Sequence, residues 1–279
     1  MILADTITRL TAILNKASQV GAAVGFVPTM GALHEGHISL INRAKSENEW
    51  VVSSIFVNPT QFNDPKDLLN YPRTPESDYA VLENAGCDIV FIPSVHEMYP
   101  SDALIDMDFG DLERVMEGQY RPGHFRGMAT VVSRFFEIVK PKRAYFGEKD
   151  FQQLAIIREM NRRNGSGIEI VGCPTLREKD GLAMSSRNIH LTEAERMEAP
   201  IIYEALLYGA EAIRNETVSA VKKKVVAMIE SRGGFRVQYL EFVFSDTLQP
   251  ISKLDRNTHQ RACVAVLTSK TRLIDNVPL

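Results

Sequence analysis

Two histidines three residues apart, His34 and His37, sit in the stretch "VPTMGALHEGHISL" from Val27 to Leu40. An apolar run precedes them and a helical pattern follows. On a first helical turn, that spacing puts both rings on one face. Gly31 and Gly36 let the backbone come close to a ligand. A helix start offers free N–H groups and a partial positive charge, which suits a phosphate. Two imidazoles there could donate hydrogen bonds to phosphate oxygens as charge develops in phosphoryl or nucleotidyl transfer. They could also be helix caps or surface residues. They could hold a metal, although no third ligand stands nearby. The segment is not a Walker A loop, because no GK[ST] follows.

Three further turns carry polar residues of use at such a site. "VNPTQF" offers Gln61 and, at the strand end, Asn58. A neutral amide both donates and accepts, which suits a substrate hydroxyl and carboxylate. In "FGEKDFQQ", Gly147 follows a strand and Lys149 can set a cation against phosphate. Asp150 and Gln153 are spaced like a capping box. In "KDGLAMSSRN", an Asp180-Gly181 turn precedes the hydroxyls of Ser185 and Ser186 and the planar cation of Arg187. Taken singly, Gln61 and "SSRN" read as solvated loop residues.

The elements that must position these turns follow from apolar patterning. The chain has 279 residues, 44% of them hydrophobic, enough for one large domain or two modest ones. Strands are expected over 22–28, 51–58, 87–94, in "RAYFGEKD", and over 168–174, with helical patterns between them. This alternation predicts a Rossmann-like parallel sheet with helices on both faces. After about Pro174 two helices come in succession, then three strand-like runs. We therefore expect two domains: 1–174, and a smaller C-terminal α+β domain, 175–279. The N-terminal stretch reads as an amphipathic helix with Ile7, Leu10 and Leu14 on one face.

A formal net charge of -3 argues against a nucleic-acid binder that relies on phosphate neutralisation. No apolar run approaches membrane-span length. Three scattered cysteines, Cys87, Cys173 and Cys263, form no metal or disulfide pattern. The expectation is a cytoplasmic protein with neither nucleic acid nor membrane as partner.

"GALHEGH" resembles the HxGH signature of the HIGH superfamily of nucleotidyltransferases. Within it, "PTMGALHEGHISLI", "SIFVNPTQF", "YPRT", "EGQYRPGHFRGMATVV", "FGEKDFQQLAIIR" and "REKDGLAMSSRN" are similar, in order, to the motifs of the pantoate–β-alanine ligase family. The resemblance covers nearly the whole chain. It implies ATP-dependent condensation of pantoate with β-alanine to pantothenate, through a pantoyl adenylate, with release of pyrophosphate and AMP. It implies ATP and Mg²⁺, and a homodimer.

By the same resemblance, Met30, Gly31, Ala32, Leu33, His34, Glu35, Gly36 and His37 contribute to the ATP site. So do Gly147, Glu148, Lys149, Asp150, Leu176, Met184, Ser185, Ser186 and Arg187. His37 is the family's proton donor, and His34, Lys149, Ser185, Ser186 and Arg187 join it in catalysis. Gln61 and Gln153, with Asn58, meet pantoate and β-alanine. "AMSSRN" is similar to a KMSKS loop with Ala183 at the first lysine, so Arg187 must supply the charge. Family members carry acidic residues near "YPRTPESD" that help hold Mg²⁺; here Asp78 remains, and it could equally be a helix-surface carboxylate. His124 and Arg126 are assigned no catalytic role. Closure by the 61–71 segment or the Ser185 loop would keep water from an acyl adenylate. The rival readings are another HxGH nucleotidyltransferase acting on a phosphorylated small molecule, a tRNA-synthetase fragment, and a nucleotide-binding regulator without catalysis.

Overall fold

The computed structural model describes residues 1–63, 65–100 and 105–279. Asp64, within the segment expected to move, lies outside the described residues. Six short runs, mostly apolar, become parallel strands: β1 (Ile2–Ala4), β2 (Val24–Thr29), β3 (Trp50–Ile55), β4 (Ile89–Phe91), β5 (Arg143–Gly147) and β6 (Glu169–Cys173). Their order is β1-β4-β3-β2-β5-β6. Side chains on a strand alternate between faces. Phe26, Val52, Ile89, Phe91 and Phe146 therefore enter one core, and Val27, Val51, Val90 and Tyr145 the other.

Helices cover both faces, as the alternation predicts. Leu10 of the Ile7–Gln19 helix and much of the His124–Val139 helix pack into the first core. Phe135 meets Phe26, Phe56 and Phe91 at centroid distances of 5.4, 6.2 and 6.3 Å. Leu40, Ile41 and Ala44 of the Glu35–Glu47 helix, with Leu82 of the Pro75–Asn84 helix, fill the second core.

From β2 the chain builds β3 and β4 to one side, and β5 and β6 to the other. The connections after β2 and β5 therefore diverge, which leaves a crevice beyond their carboxyl ends. The His34 turn and the Gly147 turn both leave the sheet there.

The N-terminus departs from the helical expectation. Ile2, Leu3 and Ala4 pair with Ile89, Val90 and Phe91, and the helix begins only at Ile7, capped by Thr6. The partner that makes Ile2–Ala4 a strand lies far along the chain, out of reach of a local pattern.

Beyond residue 175, the helices Ile201–Ala212 and Val218–Glu230 pack on an antiparallel sheet of β7 (Arg236–Phe244), β8 (Gln260–Leu267) and β9 (Arg272–Pro278). Leu206, Val225, Ile229, Phe242 and Val264 form its core. The expected helix through "TEAERMEAPIIYEALLYGAEAIRN" divides before Ile201, because Pro200 lacks an amide hydrogen. Met116, Phe151, Val243, Leu248 and Cys263 make an apolar seam between the C-terminal sheet and the first part of the chain. Among the described residues no helix is long and apolar enough to cross a membrane.

Candidate active site

The turn after β2 is held by a buried carboxylate. Gly31 and Ala32 adopt positive φ, +79° and +50°. Ala32 is an L-residue in the left-handed region, so something must hold it there. Asp78 Oδ2 accepts from Ala32 N at 3.0 Å, and Oδ1 from Leu33 N at 2.8 Å and Thr74 Oγ1 at 3.1 Å. Asp78 is 2% exposed. This corrects the reading of a helix-surface carboxylate: Asp78 is buried and its oxygens are engaged by the turn. The amides of Ala32 and Leu33 are correspondingly closed to a ligand.

The Glu35–Glu47 helix begins two residues earlier than "HISLINRAKSEN", and the histidines are its cap. His34 Nδ1 accepts from Gly36 N at 3.1 Å, and His37 Nδ1 accepts from His34 N at 3.3 Å. Capping occupies one nitrogen of each ring. With each Nδ1 acting as acceptor, a neutral ring carries its proton on Nε2. That leaves one N–H per ring for a ligand. The helix start donates less from its backbone than expected, because the His34 ring takes Gly36 N and the His34 carbonyl takes His37 N at 2.8 Å. Gly36 is required by this packing: a Cβ there would sit 2.8 Å from His34 Cε1.

Both rings stay neutral near pH 7. Burial, followed by the Lys149 cation, pulls the His34 pKa down to about 4. Burial and the neighbouring His34 ring pull His37 down to about 3. The ring centroids lie 4.2 Å apart, and two cations at that distance would repel strongly.

Gln61 is 8% exposed and its Nε2 reaches Met30 Sδ at 3.0 Å. Asn58 lies behind it, 1% exposed. Its Nδ2 donates to Gln61 Oε1 at 3.0 Å and Gly127 O at 3.2 Å, and its Oδ1 accepts from Tyr99 Oη at 2.7 Å. Asn58 thus orients Gln61 rather than meeting a substrate itself. His124 is buried, and its Nδ1 lies 2.8 Å from Gln61 O. Burial and the Arg121 cation lower its pKa to about 4. The ring is neutral and donates from Nδ1, which ties it to the Gln61 carbonyl.

Across the crevice, Lys149, Asp150, Ser185 and Arg187 line one open cleft of about 780 Å³ with Asp67, Tyr71, Glu117, Arg121 and Arg272. Gly147 leaves room on this wall, since a Cβ there would meet nothing within 4 Å. Asp150 makes no cap hydrogen bond, so the capping-box spacing with Gln153 is not used. It faces cleft solvent yet is ringed by protein. Burial pushes its pKa up, but Lys149, Arg187 and Arg121 outweigh that and hold it below the ordinary carboxylate value. Gln153 borders a smaller void with Lys149, Asp150 and His124. Glu148 turns away, its Oε2 3.1 Å from Arg261 Nη2. Glu35 is exposed on the helix start.

The Ser185 loop hangs from a hairpin in which Met184 N donates to Leu176 O at 3.0 Å. A Cβ on Gly36 would lie 3.7 Å from Met184 Cβ, so this hairpin borders the histidine turn. Ser185 Oγ accepts from Arg187 N at 3.3 Å, Ser186 pairs with the Tyr71 hydroxyl, and Arg187 Nη2 lies 3.3 Å from Asp67 Oδ2. The two segments expected to move touch one another.

Glu117, Arg121 and Arg272 were not singled out from sequence for this cleft. Arg121 lies four residues from Glu117 and 3.8 Å from its carboxylate, but the partner that grips it, Arg272, lies 155 residues on. Among the described residues no group of three or more His, Cys, Asp and Glu is placed to hold a metal. Mg²⁺ typically keeps several waters and binds through one or two carboxylates and substrate phosphates. The carboxylates that line the cleft are Asp67, Glu117 and Asp150; Glu117 is held by Arg272 and Asp67 lies beside Arg187, which leaves Asp150 as the one that fits such an ion.

Fold and site together define an α/β enzyme built to meet phosphate groups at the switch point of a parallel sheet. Residues 2–278 match the family model described as pantoate-beta-alanine ligase. A pantothenate synthetase of Bacteroides thetaiotaomicron is 49% identical over 272 residues, 98% of this chain and 96% of that one. A pantothenate synthetase structure from Thermus thermophilus superposes with a TM-score of 0.93 at 44% identity, covering 99% of each chain. The pantoate-beta-alanine ligase of Francisella tularensis, complexed with beta-gamma ATP and beta-alanine, gives 0.81 at 38% identity, covering 99% of this chain and 97% of that one. The chain belongs to the pantoate–β-alanine ligase family. It is accordingly an ATP-dependent ligase that condenses pantoate with β-alanine.

Proposed function

We propose that the condensation runs as two half-reactions in this one crevice. In the first, a pantoate carboxylate oxygen attacks the α-phosphorus of ATP, the bond to the bridging oxygen breaks, and pyrophosphate leaves. In the second, the β-alanine amine attacks the acyl carbon, AMP departs, and the nitrogen loses a proton to give pantothenate. The first step replaces oxide, a very poor leaving group, with AMP.

One observation carries the reading: both histidine Nδ1 atoms accept backbone N–H groups, which leaves each Nε2–H for phosphate oxygen. Neutral, pre-oriented donors of this kind stabilise charge as it develops. Lys149 and Arg187, with the hydroxyls of Ser185 and Ser186, serve the pyrophosphate side. Met30, Gly36, Gly147, Leu176 and Met184 wall the nucleotide. Gln61 and Gln153 hold pantoate and β-alanine, and Asn58 acts through Gln61. Asp150 would hold Mg²⁺ brought in with ATP, and the ion would supply neutralisation of phosphate charge. The 175–279 part serves as the lid, with the Ser185 loop closing against residues 65–71. The assembly is a cytoplasmic homodimer, which light scattering of the purified protein checks.

The decisive experiment is exchange of labelled pyrophosphate into ATP with pantoate present and β-alanine absent. Exchange that depends on pantoate is expected. Well-folded protein that shows none would overturn the adenylate route.

A further inference from the structure

Two adjacent polar residues of β9, Asp275 and Asn276, are each 4% exposed, although the sequence marks "TRLIDNV" only as a strand-like run. Buried polar side chains need partners, and theirs lie on two different loops. Asn276 Nδ2 donates to Glu148 O and to Lys149 O, both at 2.9 Å. Its Oδ1 accepts from Arg261 Nη1, and Arg261 also reaches Glu148 Oε2 and stacks 4.2 Å from the Phe151 ring centroid. The carboxylate of Asp275 is gripped by Arg177, from Nη1 to Oδ2 at 2.7 Å and from Nη2 to Oδ1 at 2.9 Å. Arg177 also donates to Gly181 O at 3.1 Å and lies 3.6 Å from the Tyr203 ring centroid. Arg177 bridges Ala183 in the hairpin that delivers Ser185 and Arg187. Asn276 N donates back to Asp275 Oδ1 at 2.7 Å, which locks the two anchors together. Lys149, Ser185 and Asp275 line the same small void.

We infer that Asp275 and Asn276 are positioning residues for the pyrophosphate side of the ATP site: Asn276 holds the Lys149 turn, Asp275 holds the Ser185 hairpin, and one strand sets the distance between them. A bidentate arginine–carboxylate pair and an amide bound to two successive carbonyls both fix direction as well as distance. Neither residue touches the reacting atoms. The inference rests on the ATP-site reading above.

The test compares wild type, Asn276→Ala and Asp275→Asn in the pantoate-dependent exchange assay, with ATP and pantoate varied separately. Each variant is also made in a Lys149→Ala background. For Asn276→Ala, the KM for ATP should rise about tenfold or kcat fall by that factor, with the KM for pantoate within about twofold. In the Lys149→Ala background the same substitution should add less than about twofold, because the group it positions is gone. A purely structural role would lower Tm and active fraction while leaving both KM values unchanged per folded molecule, and would be additive with Lys149→Ala; either result overturns the inference. If Asn276→Ala does not fold, Asp275→Asn, which keeps size and one acceptor oxygen, carries the same ATP-against-pantoate comparison. Wild-type exchange alongside variants with unaltered ATP kinetics sinks this inference alone. Absence of pantoate-dependent exchange in wild type sinks the functional reading instead.

Discussion

In the His34–His37 pair, each imidazole spends one nitrogen on the fold and keeps the other. Nδ1 caps the helix, and the hydrogen bond that makes the cap also selects the Nε2–H tautomer that can donate outward. Removing either ring should lower turnover by about 10²–10³, as for other lost donors to a developing oxyanion; steady-state kinetics on folded His34→Ala and His37→Ala check this. His34, His37 and His124 also have pKa values lowered from 6.5 in the fold. Between pH 6.5 and about pH 4 the unfolded chain binds protons that the folded chain refuses. Stability present above pH 6.5 is therefore lost as the pH falls through this window. Thermal melts should show Tm falling on acidification, with a shallower slope in His34→Gln. Asp78→Asn keeps the shape but replaces one acceptor oxygen with a donor, opposite a backbone N–H. It should cost about 1–3 kcal/mol in denaturant titrations and loosen the histidine turn.

At the scale of elements, the His124–Val139 helix decides where Gln61 points. It approaches the Pro59–Gln61 turn so closely that a Cβ on Gly127 would lie 2.1 Å from Thr60 O. Gly127→Ala must push the two apart. It should lower stability by about 1–3 kcal/mol, the usual range for overpacking, and raise the KM for pantoate more than that for ATP. Equal effects on the two KM values would contradict the assigned place of Gln61. Apolar periodicity marks this helix plainly in "GMATVVSRFFEIVKP". Its close contact with a turn far earlier in the chain is not legible there, since a glycine in a helix has many possible reasons.

For the whole molecule, the C-terminal sheet is joined to the first part of the chain by an ion pair with a buried carboxylate as well as by the apolar seam. Arg272 of β9 grips Glu117 through two 2.7 Å contacts, and Tyr239 Oη donates to Glu117 Oε1 at 2.7 Å. Burial pushes the Glu117 carboxyl up, but Arg272 outweighs it and the pKa lies below the ordinary value. Glu117→Ala leaves the arginine partly buried without its partner and should cost about 3–5 kcal/mol. Calorimetry should show the loss in Tm, and replacing both partners by apolar residues of similar volume should recover most of it.

Residue type, spacing and apolar period determined much by themselves. The alternation of strand and helix, the turn that carries His34 and His37, the Lys149 turn and the Ser185 loop are all local patterns, and local patterns follow from backbone geometry and side-chain periodicity. The tertiary structure alone decided what each polar group is paired with. Asp78 became the brace of a turn instead of a helix-surface carboxylate, Asn58 the support of Gln61, and Ile2–Ala4 a strand. Glu117, Asp275 and Asn276 acquired their roles from partners far along the chain. A hydrogen bond or ion pair depends on which atoms lie within about 3 Å after the chain has folded, and spacing in sequence does not record that.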